Sequence, residues 1–224
     1  MTGPPGAAPT TQIPHAVIFD MDGVLIDSGA HHRASWVAML GELGMQAPPQ
    51  FWRLTIGRPA VEAVPLLVGR DMTPAEARQL ARRKHEHYVR FSQAGLPAVV
   101  GVAAFLDELV RLDVPRAVAT SARRDDTTRH LGSLGLSRYF DVVIAADDVV
   151  NGKPDPEVYL RAAQGLARPA DRCLVFEDAV VGVTAARRAG MRVIGVATAY
   201  PPEELLAAGA ERVIANFEGC SWPP

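Results

Sequence analysis

Ala16-Val17-Ile18-Phe19-Asp20-Met21-Asp22-Gly23-Val24 is the stretch whose reading decides the fold. Four apolar residues run straight into two carboxylates, which predicts a buried strand with paired charges at its tip. Asp20 and Asp22 stand two positions apart and share one face there, and Gly23 lets the chain turn sharply. Like charges this close need a cation or a shared proton. Asp-x-Asp-Gly also occurs in surface turns and in calcium loops. An EF-hand loop, however, requires further oxygen ligands and a glutamate at its end, whereas Val24-Leu25-Ile26 follow here. Apolar residues on both sides fit a carboxylate pair set into a core, and that placement suggests phosphoryl-transfer chemistry.

Working outward, the 224 residues suffice for one sizeable core, or for a core with a smaller insertion. A formal charge of -2 gives no general electrostatic reason to expect nucleic acid. No apolar stretch approaches the ~20 residues of a membrane span. Residues 1–12 are rich in Pro, Gly, Ala and Thr, without a basic start or an apolar centre, and predict a flexible leader, not a signal peptide. The two cysteines, Cys173 and Cys220, are expected as buried free thiols in a reducing cytoplasm.

Short apolar runs at 15–20, 116–120, 142–145, 173–177 and 192–196 predict five strands of a parallel sheet. Between them lie stretches of helical period, such as Val102, Phe105, Leu106, Leu109 and Val110, or Val180, Val183 and Ala186 ending at Gly190. Strands alternating with helices imply right-handed crossovers and a three-layer α/β/α sandwich. The span from the first strand to Leu96 breaks this rhythm, being far too long for a crossover loop. It carries helix signals instead. Ser28 can cap a helix with His32, Trp36, Leu40 and Leu43 on one side, and Thr73-Pro74-Ala75-Glu76 is a capping box opening a second. We therefore expect a core formed by 13–28 and 96–224, and a helical cap over 29–95 above the C-terminal edge of the sheet, where open parallel sheets bind ligands.

Three further strand ends supply what a phosphate and a metal need. Thr120-Ser121 offers a hydroxyl and backbone N–H groups for phosphate oxygens, although such a pair is also an ordinary helix cap. Gly152-Lys153-Pro154-Asp155-Pro156 stiffens the chain around one lysine. Glu177-Asp178 follows Leu174-Val175-Phe176, and carboxylates at a buried strand end fit a hard divalent cation.

In their order and shared placement these motifs resemble the haloacid dehalogenase superfamily, in the subgroup similar to β-phosphoglucomutase, over nearly all of the chain from His15 to Asn216. The resemblance implies a Rossmann-like core with an inserted cap. It makes Asp20 the nucleophile that forms an aspartyl-phosphate and Asp22 the acid and base, with its carbonyl on the metal. Mg²⁺ would be held by Asp20, Asp22 and Asp178, with Glu177 in or just behind the ligand set; Lys153, Thr120 and Ser121 would hold the phosphate.

On the cap, the resemblance turns His32, Trp36 and Lys84 toward the cleft, although a surface histidine and a core tryptophan are the plain alternatives. Arg82, Arg83 and His85 are expected on a solvated helix face. Phosphoglucomutases of this family grip a second phosphate with a cap arginine three residues after a glycine and a lysine just before it; around Gly57 those positions are Ile56 and Ala60. Arg58 lies nearby, on a different face from those positions if the segment is helical, and joins His32, Trp36 and Lys84 as an expected substrate-contacting cap residue. Ala179 stands where relatives usually carry serine, and Val100-Gly101 where many have Pro-Gly. The expected function is a Mg²⁺-dependent phosphatase of small phosphorylated metabolites, sugar phosphates foremost, acting as a cytoplasmic monomer without nucleic-acid or membrane partners. A phosphosugar mutase is the alternative.

Overall fold

The computed structural model describes residues 14–224, so the leader expected over 1–12 lies outside the described residues. Six parallel strands form one sheet: β1 (Ala16–Phe19), β2 (Arg116–Ala119), β3 (Val142–Ile144), β4 (Cys173–Glu177), β5 (Arg192–Val196) and β6 (Arg212–Ile214), in the order β3-β2-β1-β4-β5-β6. The sequence reading contained five of these. It lacked β6, a three-residue edge strand whose exposed Arg212 and preceding Glu211 interrupt the apolar signal.

Strand order reverses at β1, which lies between β2 and β4, and such a switch point opens a crevice at the carboxyl ends. Register then aligns the chemistry. Phe19 stands beside Val118 on one side and Phe176 on the other, so the residues that follow all emerge at one edge. β1 is wholly buried because both its faces are covered. Val17 and Phe19 enter an aromatic cluster with Phe105, Phe140, Phe176 and Phe217, in which Phe19 and Phe176 stack at 5.3 Å. Ala16 and Ile18 face the other layer, against Tyr159, Val175 and Val183. The two-residue period of a strand thus serves two cores.

The helices α4 (Val102–Arg111), α5 (Arg124–Ser133), α6 (Glu157–Gly165), α7 (Val180–Arg188) and α8 (Pro202–Ala207) cover the sheet. Between β1 and α4 lies the helical insertion: α1 (Gly29–Glu42), a 3-10 turn (Phe51–Leu54), α2 (Ala60–Val68) and α3 (Pro74–Phe91). It has a small core of its own around Trp36, Met39, Leu40, Phe51, Val64 and Leu67. The capping box at the start of α3 forms as read. Glu76 N–H donates to the Thr73 hydroxyl at 3.3 Å, and Thr73 N–H to the Glu76 carboxylate at 2.8 Å.

Ser28 departs from expectation. It occupies the N-cap position of α1, but its backbone (φ -95°, ψ -7°) is already helical and not extended as a capping side chain requires, and its hydroxyl donates to Asp22 Oδ1 at 2.5 Å. Both cysteines are free; Cys173 is buried and Cys220 only partly so. No helix of the described residues is long and apolar enough to cross a membrane.

Candidate active site

Asp20 extends from the tip of β1, its N–H donating to the Phe176 carbonyl at 3.0 Å, and its carboxylate accepts from Lys153 Nζ at 2.7 Å. The same ammonium donates to Glu177 Oε1 at 2.7 Å. All three side chains are almost fully buried. Burial pushes the Asp20 carboxyl up to about 7 against the pull of Lys153, while Asp20 and Glu177 outweigh burial at Lys153 and hold its ammonium charged.

Glu177, expected in or just behind the metal ligand set, directs both oxygens to protein donors. Oε1 also accepts from the Tyr159 hydroxyl at 3.0 Å, and Oε2 from Ala179 N–H at 2.7 Å. It anchors Lys153. Tyr159 escaped the sequence reading because on α6 it looks like any apolar core position.

Asp178 completes the acidic group: Asp20, Glu177 and Asp178 offer carboxylate oxygens within 4.8 Å of one another. Burial first, and then the charges of Glu177, Asp20 and Asp22, push the Asp178 carboxyl well above the usual range. One lysine cannot neutralise this cluster, and hard oxygen donors in that number suit a divalent cation. The backbone is shaped around it as well. At Gly23 (φ 76°) a Cβ would fall 1.8 Å from Asp178 Oδ2. Thr198, absent from the sequence reading, donates its hydroxyl to the Gly23 carbonyl at 2.6 Å and so holds this turn.

Thr120 ends β2 beside this group. It does not cap α5: its N–H continues the sheet to the Ile144 carbonyl at 2.9 Å, and its hydroxyl oxygen accepts from Ala122 N–H at 3.1 Å. The hydroxyl proton remains to donate into the cleft, where Ser121 also lies.

Asp22 points from the same loop toward the cap. His32 Nε2 stands 3.5 Å from Asp22 Oδ1, and Lys84 Nζ donates to His32 Nδ1 at 2.8 Å. An ammonium has only protons to offer, so this contact leaves His32 with its proton on Nε2, facing the carboxylate. Burial alone would raise Asp22, but the His32 contact and the Ser28 hydrogen bond bring it to about 2. Burial lowers His32, with Lys84 adding to the effect, and burial lowers Lys84 to about 8. Tyr88 stacks flat on His32 with ring centres 4.2 Å apart, and its hydroxyl shares a 3.0 Å hydrogen bond with the buried His130 Nε2 of α5. Neither Tyr88 nor His130 stood out in the sequence, since their partners are remote in the chain.

These groups line one cleft of about 510 Å³ between the insertion and the sheet edge. Asp20, Asp22, Thr120, Ser121, Lys153, Glu177 and Asp178 meet there with His32, Trp36, Arg58 and Lys84. Trp36 is both cleft wall and part of the insertion's core. Arg58 lies in a turn, not a helix, so the helical condition on its face does not arise, and it lines the cleft. Arg82 and His85 also line the cleft: Arg82 is exposed, as expected of a solvated helix face, while His85 is half-buried and stands 3.5 Å from Asp126 of α5.

The chain matches the family model described as haloacid dehalogenase-like hydrolase over residues 17–196. It is 33% identical over 206 residues to validoxylamine A 7'-phosphate phosphatase of Streptomyces hygroscopicus subsp. limoneus, covering 92% of this chain and 95% of that one. It is also 33% identical over 201 residues to a phosphorylated carbohydrates phosphatase of Thermotoga maritima, covering 89% and 93%. In fold it resembles a β-phosphoglucomutase from Clostridium difficile, with TM-score 0.83 at 24% identity over 94% of each chain. With its central strand ending in Asp20, its buried lysine and its inserted helical cap, the chain belongs to the haloacid dehalogenase-like hydrolases, in their phosphatase branch.

Proposed function

We propose that the protein hydrolyses small phosphorylated metabolites, sugar phosphates foremost, through an aspartyl-phosphate on Asp20, with Mg²⁺ as cofactor. One observation carries this reading: Lys153 bridges Asp20 and Glu177 at 2.7 Å each, beside Asp178, and fixes one carboxylate at the floor of a cleft. Held this way, Asp20 cannot rotate off line, and its attack on phosphorus divides a difficult hydrolysis into two easier steps. Mg²⁺, held by Asp20, Asp178 and the Asp22 carbonyl, would stabilise charge on the transferring oxygens. Lys153 and the Thr120 hydroxyl, with Ser121, grip the same group.

Asp22 handles the protons. A phosphate dianion beside it raises its proton affinity, as the acid step on the leaving oxygen requires. Giving its proton to the leaving oxygen leaves Asp22 ionised, the His32 contact favours that form, and the carboxylate then takes a proton from the attacking water. Water is favoured over a sugar hydroxyl because Ile56 and Ala60, at the positions of the mutase clamp, face the cleft uncharged. The sugar-phosphate reading is supported by the phosphorylated carbohydrates phosphatase among the relatives.

Phosphate release from p-nitrophenyl phosphate and a panel of sugar phosphates, measured with and without Mg²⁺, tests this. Wild type should release phosphate with Mg²⁺ alone among these conditions, and Asp20→Asn should release none while remaining folded. Metal-dependent turnover by Asp20→Asn would overturn the proposal.

A further inference from the structure

The acidic residues of the cleft all lie on its sheet side, together with Lys153 and Arg123. These acids come from the β1–α1 loop, α5 and the end of β4, whereas the wall formed by α1, α3 and residues 55–61 carries Arg33, Arg58, Arg78 and Arg82 and no Asp or Glu. None of these four arginines has a carboxylate partner among the described residues. The contrast within α3 is direct. Arg83, turned away from the cleft, pairs with Glu42 at 3.3 Å, while its neighbour Arg82 is left open.

Arg78 and Arg82 are four residues apart and exposed, so they lie one above the other on the cleft face, where like charges repel at a small cost. An anion between or beside them removes that cost. It cannot be the transferring phosphoryl group, which Asp20, Lys153 and Thr120 fix at the sheet edge. Tyr88 ties the inner end of α3 to His130 of the core at 3.0 Å, and from there the helix carries Arg82 and Arg78 outward, about 9 and 15 Å along its axis.

We propose that the physiological substrate carries a second anionic group, a carboxylate or another phosphate, at the end of its skeleton remote from the reacting phosphate, and that Arg78 and Arg82 with Arg33 receive it. This rests on the phosphatase reading and narrows its substrate class. The arginines lie on α1 and α3, apart from the uncharged Ile56 and Ala60. Guanidinium forks on one wall also fit the planar, bidentate geometry of carboxylate and phosphate.

Matched pairs test it: glucose 6-phosphate against 6-phosphogluconate, and fructose 6-phosphate against fructose 1,6-bisphosphate. Turnover is measured with wild type, and calorimetric binding with Asp20→Asn and Mg²⁺. The doubly anionic member of at least one pair should be favoured about tenfold in kcat/KM and in Kd. Preference in the first pair assigns a carboxylate, in the second a phosphate. Arg78→Gln/Arg82→Gln should collapse the within-pair ratio, and Arg78→Lys/Arg82→Lys should keep most of it. Ratios near one in both pairs, or a glutamine variant that weakens both members equally, overturn the proposal. Absence of phosphate release from every compound would instead sink the phosphatase reading and leave the binding ratios to decide this one.

Discussion

Lys84 occupies a site that an apolar residue would fill with less strain on the fold. It is 7% exposed, its ammonium lies 5.3 Å from the ring centre of Trp36 and 5.0 Å from that of Tyr88, and among the described residues its one direct polar contact is His32. Burial lowers its pKa from 10.5 to about 8, so below pH 8 the folded state holds a charge that the unfolded chain carries more comfortably. That difference is on the order of 3 kcal/mol. Lys84→Met should therefore stabilise the fold by about that amount at pH 7. The gain should fade as pH rises from about 8 to 10.5, because both states of the wild type then lose the proton. Urea denaturation at pH 7 and pH 10.5 measures it, and equal stability of the two proteins at pH 7 would refute it. Activity should fall in the same variant, since His32 loses the donor that keeps its proton on the Asp22 side. A destabilising residue kept beside the proton-handling carboxylate is what a trade of stability for function produces.

At the level of elements, the strands and the carboxylates at their ends were legible because each is written in contiguous residues. An apolar run followed by acids is a local pattern, and β1 and β4 display it over five or six positions. The capping box of α3 was legible for the same reason. What joins the insertion to the core was not. Tyr88 with His130, His85 with Asp126, and Arg53 with Glu204 at 2.8 Å are each dozens of residues apart, and no periodicity within α3 or α5 announces them. Ser28 was misread since local rules rank it as a cap, whereas the fold brings a carboxylate to it. Gly57 shows how close the approach is. With φ at 71°, it places the turn after the 3-10 segment against α7, and a Cβ there would lie 2.3 Å from Val181 Cγ2 and 3.1 Å from Ala179 Cβ. This also gives Ala179 a role: a small residue lets the turn settle. Gly57→Val should cost about 1–2 kcal/mol through the backbone and, by keeping the insertion off the core, lower kcat/KM at least tenfold. Both thermal unfolding and steady-state rates report on it; a variant with wild-type kcat/KM would show that this contact has no part in closing the site.

Across the whole molecule, two cores of different size are joined by a thin and mostly polar seam. The sheet core is continuous from β3 to β6, and the insertion around Trp36 and Leu40 is packed by itself. Between them run single contacts: Arg53 to Glu204, Arg129 to the Ser92 hydroxyl at 3.1 Å, Tyr88 to His130, and Gly57 on Val181. Polar seams of this kind separate at low cost, and relative motion of the two parts is their default behaviour. The chain crosses the seam near Ser28 and near Gly95, whose φ of 92° only glycine adopts freely. We propose these as hinges that open the insertion to admit substrate and close it to exclude water. Ligand bound in the cleft touches both walls and favours the closed form by its differential affinity for it. Small-angle X-ray scattering should accordingly give a smaller radius of gyration with Mg²⁺ and orthovanadate than without them. Raising salt in the absence of ligand should enlarge the radius further, because ion pairs such as Arg53–Glu204 are exposed and screened. Identical scattering under all three conditions would mean that the insertion is fixed and that substrate enters through the cleft as it stands.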